Sequence, residues 1–235
     1  MPRNAFLPVL MAVCPPAIAQ STWPEIALPE HATSYSIGPQ MDMNGLPMRL
    51  TGFASLQSPR QTADWFVRTL GQPLMDNRLG GQRILGSAQG EHYITVRIEP
   101  GPDGHGTRGI VAVTHLRAAL RNQTRSQQER QQWQNMLPAG TEITSLLHAR
   151  DGGRLSTHLI ATNRHSEPLN AQRLTQALQA QGYVLESSLA GTADIPGTSL
   201  LLRGPGKEAM AVITRDAHGL TRIVATTSVA QQEAP

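Results

Sequence analysis

The sequence predicts an α+β fold: two tandem copies of an antiparallel sheet, each carrying one helix, joined by a polar helical linker. Three observations predict it. First, Asp103-Gly104-His105-Gly106 and the following Ile110-Val111-Ala112-Val113-Thr114 return as Asp216-Ala217-His218-Gly219 and Ile223-Val224-Ala225-Thr226-Thr227 at one constant offset, the mark of a unit used twice. Second, each copy reads strand, strand, helix, then further strands, which suits a helix laid on an antiparallel sheet rather than a βαβ alternation. Third, the stretch between them is rich in Gln and Arg and has no continuous apolar stripe.

The first copy is assigned to residues 20–116 and the second to 137–229. Each opens on Leu-Pro, Leu28-Pro29 and Leu137-Pro138, and reaches a turn dipeptide, Asn44-Gly45 and Gly152-Gly153. Both dipeptides tolerate the positive φ that a two-residue hairpin requires. Strands follow at Leu46 to Ser55 and Arg154 to Thr162. In the first, Leu46, Met48 and Leu50 alternate with Pro47, Arg49 and Thr51, a period that suits one buried face.

A helix comes next in each copy. Ser58 caps the first, with Pro59 at its first position; Ser166 caps the second, with Pro168 just inside. The expected core stripes are Ala63, Phe66, Leu70 and Ala171, Leu174, Leu178, with the same spacing of three then four. Gly71 and Gly182 supply the stops. Three strands then lead into the Ile-Val-Ala strand in each copy: near Leu74-Met75, Arg83 to Ser87 and Tyr93 to Glu99 in the first, and Tyr183 to Leu185, Ser199 to Arg203 and Ala209 to Arg215 in the second. Within Tyr93 to Glu99, the residues Ile94, Val96 and Ile98 are expected to face the core.

The linker, residues 117–136, interleaves Gln123, Gln127, Gln128, Gln131, Gln132 and Gln134 with Arg121, Arg125 and Arg130. A helix polar all round bridges domains or frays; a disordered linker and a docking surface are the alternatives.

The two ends bound the compartment. Residues 1–19 read as an export signal: Arg3, an apolar run over Ala5 to Val13, and the small-x-small site Ala17-Ile18-Ala19 before Gln20. The run is too short to span a bilayer. Cys14 raises a lipoprotein signal, but Val13 is a poor residue to precede it. Cys14 is also the single cysteine, so a chain cleaved after Ala19 has no disulfide, thiolate ligand or Cys nucleophile and relies on an ordinary core. The tail, residues 230–235, is polar and expected to be disordered. The expected location is the periplasm or outside the cell.

Composition narrows the function classes. The formal net charge is +3, the basic residues are dispersed, and aromatics are scarce, which disfavours nucleic acid as a partner. The chain has no Walker or dinucleotide glycine pattern, no His-Glu-x-x-His and no Gly-x-Ser-x-Gly. No catalytic, cofactor-binding or metal-ligating set is nominated, and no cofactor is expected. The sharpest local candidates are Asp103 with His105 and Asp216 with His218, since a carboxylate beside an imidazole fixes its tautomer. The competing reading is a hairpin turn, for which Asp and Gly are the natural residues. Trp23, in the extended segment before the first strand, and Trp133, in the linker, are possible partner contacts. The functional expectation is an exported, non-enzymatic binding or assembly protein with envelope protein partners, an accessory of a machine such as a secretion or pilus system. The alternative is a module that holds an anionic solute between the two copies.

Overall fold

The computed structural model describes residues 23–192 and 196–231; the expected export signal and residues 232–235 of the tail lie outside them. The elements in chain order are β1 (Thr33–Met43), β2 (Leu46–Ser55), α1 (Pro59–Leu70), β3 (Met75–Leu79), β4 (Gln82–Gln89), β5 (His92–Pro100), β6 (Thr107–His115), α2 (Leu116–Met136), β7 (Glu142–Asp151), β8 (Arg154–Asn163), α3 (Glu167–Ala180), β9 (Val184–Ala190), β10 (Thr198–Gly204), β11 (Lys207–Arg215) and β12 (Thr221–Ala230). A mixed α+β fold built on antiparallel strands is what the sequence predicts and what forms.

The strands do not make two sheets. Among the described residues they make one of twelve strands, in the order β3-β4-β5-β6-β2-β1-β7-β8-β12-β11-β10-β9. The junction is β1 against β7, antiparallel, with Met41 opposite Ala149, Asp42 opposite His148 and Met43 opposite Leu147. The physical reason is that β1 and β7 would otherwise each be an open edge. Each satisfies the other's unpaired backbone groups, and the tight Asn44-Gly45 turn delivers the end of β1 to that edge.

Asn44 fastens this junction. Its backbone takes the left-handed conformation, φ 54°, that the hairpin turn demands. Its N–H donates to Leu146 O at 2.8 Å. Its Oδ1 accepts the Leu146 N–H at 3.0 Å and the Arg130 guanidinium at 3.0 Å. One side chain therefore joins the first hairpin, strand β7 and helix α2.

Helices α1, α2 and α3 lie on the same face. Across antiparallel neighbours, residues directly opposite share a face, so registers carry the assignment along the sheet. In the first half Phe53 packs on Phe66 of α1 with ring centres 5.5 Å apart, and Leu85, Ile94, Val96, Ile98 and Val111 complete that core. In the second, Leu159, Ala161, Leu200, Leu202, Ile213 and Ile223 meet Leu174 and Leu178 of α3. Since Phe53 faces the helices, so do Arg49 and Pro47. Leu46, Met48 and Leu50 therefore occupy the opposite face and are only half-buried, the reverse of the polarity that their apolar character implies. The uncovered face carries Ile160, Val224, Val212 and Met210, all exposed.

Local signals hold at the helix starts. Ser58 and Gln61 form a reciprocal capping box, the Gln61 N–H donating to Ser58 Oγ at 3.3 Å and the Ser58 N–H to Gln61 Oε1 at 3.0 Å. Ser166 caps α3 through the Leu169 N–H. The stripe of α1 is as expected, but on α3 Asn170 is fully buried and Ala171 only partly so. Asn170 tolerates burial because its amide exchanges hydrogen bonds with Asn163 at 2.7 and 3.1 Å, which leaves no unsatisfied polar group.

The segment expected as a polar, solvated helical linker is helix α2, and it packs on its neighbours as well as facing solvent. It buries no residue fully, yet it lies across β2 and β7 and meets α3, with Trp133 and Met136 against the second core. No helix among the described residues is long and apolar enough to cross a membrane.

The role of Asn44 is testable by urea denaturation. Asn44→Gly keeps the turn geometry and loses the acceptor; Asn44→Ala loses both. We expect the Ala variant to be destabilised by about 2 kcal/mol and the Gly variant by about half of that.

Candidate functional site

A cleft of about 500 Å³ opens where the two halves meet, beneath α2. Its floor comes from Asp42 of β1, Arg49 of β2, His148 and Arg150 of β7 and Thr157 of β8. Its wall is Arg125, Glu129, Gln132 and Trp133 of α2, and Trp23 closes one side. The spacing of Arg125, Glu129 and Trp133 is four residues, so one face of α2 looks into the cleft.

The charges inside form a chain. Arg125 stands between two carboxylates, 3.5 Å from Asp42 and 3.8 Å from Glu129. Asp42 also accepts the Gly45 N–H at 2.7 Å. Glu129 Oε2 lies 3.1 Å from His148 Nε2, off the line of a good hydrogen bond, while His148 Nδ1 meets Thr157 Oγ1 at 3.0 Å. Arg49 stacks its guanidinium over the Trp23 ring, 4.8 Å from its centre, a cation–π contact that holds both groups in place.

Trp23 is itself anchored on a buried pair of histidines. Its ring lies 5.3 Å from that of His92 and 6.0 Å from that of His115, and the two imidazoles are 4.6 Å apart. The pair arises because His92 begins β5 and His115 ends β6, directly opposite in register. His115 Nδ1 accepts the Ala118 N–H at 3.1 Å, capping α2. That bond places the proton on Nε2, which stands 3.3 Å from Glu91 Oε2. His92 Nε2 is buried with no hydrogen-bond partner among the described residues. Burial first, then the neighbouring His115, pushes its pKa below the ordinary histidine value; Arg49 adds to this and Glu91 opposes it.

The Asp-x-His pairs fall elsewhere. Asp103 and His105 sit in the β5–β6 loop, and Asp216 and His218 in the β11–β12 loop. Five antiparallel steps separate β6 from β12 in the sheet, so β6 and β12 run oppositely and their starting loops lie at opposite ends. The two pairs are not brought together. Asp216 Oδ1 accepts the N–H groups of His218 and Leu220, each at 2.9 Å. Those backbone bonds, Leu220 foremost, hold its carboxyl below the usual carboxylate range. Asp103 has φ 58° at the tip of its loop. Both are residues that shape a turn.

Trp23 and Trp133, nominated separately as partner contacts, line the same cleft. Arg49, Arg125, Glu129, His148 and Arg150 carry no such signal in the sequence. They come from three elements, β2, α2 and β7, and only the Arg125–Glu129 and His148–Arg150 spacings are local. Among the described residues no group of three or more His, Cys, Asp or Glu side chains is placed to hold a metal. What the cleft offers is guanidinium donors beside indole faces.

No family model and no curated protein matches the chain. Two solved structures resemble it. One is a Tle4–Tli4 complex, at 13% identity over 89% of this chain and 84% of that one, with a TM-score of 0.33. The other is the apo immunity protein TplEi of the T6SS of Pseudomonas aeruginosa, at 11% identity over 88% and 85%, with a TM-score of 0.34.

The histidine pair predicts a pH dependence. A histidine whose pKa is lowered on folding takes up its proton more readily in the unfolded chain. Stability is therefore full above the ordinary value of about 6.5 and falls as pH drops through it toward the folded value. The melting temperature should fall between pH 7.5 and pH 5.5, and His92→Gln should flatten that dependence.

Proposed function

We propose that this is an exported, non-enzymatic binding protein that captures a protein partner at the central cleft and serves a larger envelope assembly, such as a secretion or pilus apparatus. The observation that carries the reading is convergence. Trp23 and Trp133 stand more than a hundred residues apart in the chain, yet both are half-buried at the mouth of one cleft, among arginines. Tryptophan and arginine are the side chains most enriched at the energetic centres of protein interfaces. A half-buried indole there is anchored by the fold and still presents a face to an incoming partner.

The two halves are copies of one unit in this reading. The shared element order, the matching helix caps and the constant offset of the Asp-x-His-Gly turns support it. Duplication then explains why the cleft lies at a junction: neither unit alone has both walls.

A second reading, capture of an anionic solute, is favoured by the cleft's volume, which lies in the range of small-ligand sites. The two are separated by mass.

A photo-reactive amino acid at Gln132, on the cleft wall, is expected to trap a discrete protein adduct in living cells. The same group at Met210, on the uncovered face, is expected to trap none. Envelope fractionation should recover the chain with Gln20 as its first residue. An adduct pattern identical at both positions, or trapping only at Met210, would overturn the cleft as the contact surface.

A further inference from the structure

The geometry points to an extended, carboxylate-bearing segment of the partner protein as the occupant of the cleft, received by Arg49 and Arg150. The inference rests on the cleft being the contact surface and adds its chemistry.

The charge inventory carries it. Both carboxylates of the cleft are committed: Asp42 to Arg125 and the Gly45 N–H, Glu129 to Arg125 and His148. Arg49 and Arg150 line the same cleft, and neither has a carboxylate within ion-pair distance among the described residues. Two guanidiniums without counter-charges, beside an aromatic wall, complement an acid. Arg49 is also held ready, because its stacking on Trp23 fixes the side chain before a ligand arrives.

Their placement sets a spacing. β1 has a bulge between Gly38 and Met41, where two residues oppose the single Arg49 of β2. On the other side of β1, Arg150 follows Ala149, the partner of Met41. The two arginines thus flank the same bulged stretch from either side, one strand each way. Strand spacing puts their backbones roughly 10 Å apart, and both side chains are long. Side chains two apart in an extended peptide point the same way at about 6.7 Å, a separation that two flanking arginines can span. Acidic residues at alternate positions therefore meet both guanidiniums.

The test is an NMR titration of the purified protein, read at the indole N–H signals, with Trp65 of α1 as the internal control outside the cleft. The probes are Ac-Leu-Glu-Leu-Glu-Leu-amide, its Gln counterpart and glutarate. We expect the acidic peptide to shift Trp23 and Trp133 saturably, leave Trp65 unmoved, and bind at least tenfold tighter than the Gln peptide. Combining Arg49→Gln with Arg150→Gln should erase that difference while the spectrum stays folded. Equal binding of the two peptides would overturn the acidic specificity and leave the cleft a peptide site. Equal shifts by glutarate alone would overturn the peptide and make it a solute site. No response to any probe would also overturn the inference, whereas trapping from Gln132 judges the cleft itself independently.

Discussion

The structure turns on the pairing of β1 with β7. Three residues of register on each side, with Asn44 bonded to both the backbone of Leu146 and the guanidinium of Arg130, convert two half-sheets into one. Without that seam α2 would have no surface to lie across, since it rests on β2 from one half and β7 from the other. The cleft, its paired charges and the placement of both tryptophans all follow from it. A short backbone ladder is a modest energy source, and the side-chain acceptor on Asn44 matters because it satisfies donors from two elements at once.

Each half is otherwise held by an ordinary apolar core, as a chain without disulfides requires. The helices differ in how they reach the sheet. In α1 the stripe is apolar except for Thr62, which bonds Thr107 at 3.3 Å. In α3 the equivalent turn holds the Asn163–Asn170 amide pair, tied further to Thr141 at 2.9 Å. Both solutions bury a polar group beside the last strand of the half and satisfy it. The Asn pair fixes geometry more tightly, because each amide has donor and acceptor directions to match.

The sequence was most informative where physics is local. Hairpin dipeptides, helix caps and the alternation of Ile94, Val96 and Ile98 depend on neighbours in the chain, and they are seen where expected. It was least informative where partners are distant. Nothing near Arg49 indicates that β2 turns its Pro47–Arg49 side to the helices; Phe53, four residues on, decides that face for the whole strand. The polar character of α2 implied solvent on all sides, yet its Arg125, Glu129 and Trp133 face a cleft whose floor comes from four strands. Polar lining is invisible to any search for apolar stripes. His92 and His115 flank the expected strands Tyr93 to Glu99 and Ile110 to Thr114, and their adjacency needs the β5–β6 register.

A final consequence concerns the ends of the ribbon. Joining the halves leaves two open borders, β3 and β9. β3 is five residues long and carries Asp76 and Arg78, while the pairing of β9 with β10 is interrupted by an irregularity at Leu201 and Leu202. A short charged border at one extremity and a kinked one at the other deny a second molecule a straight ladder to extend. Among the described residues, twelve strands of hydrogen-bonded backbone thus end in borders poorly suited to further pairing.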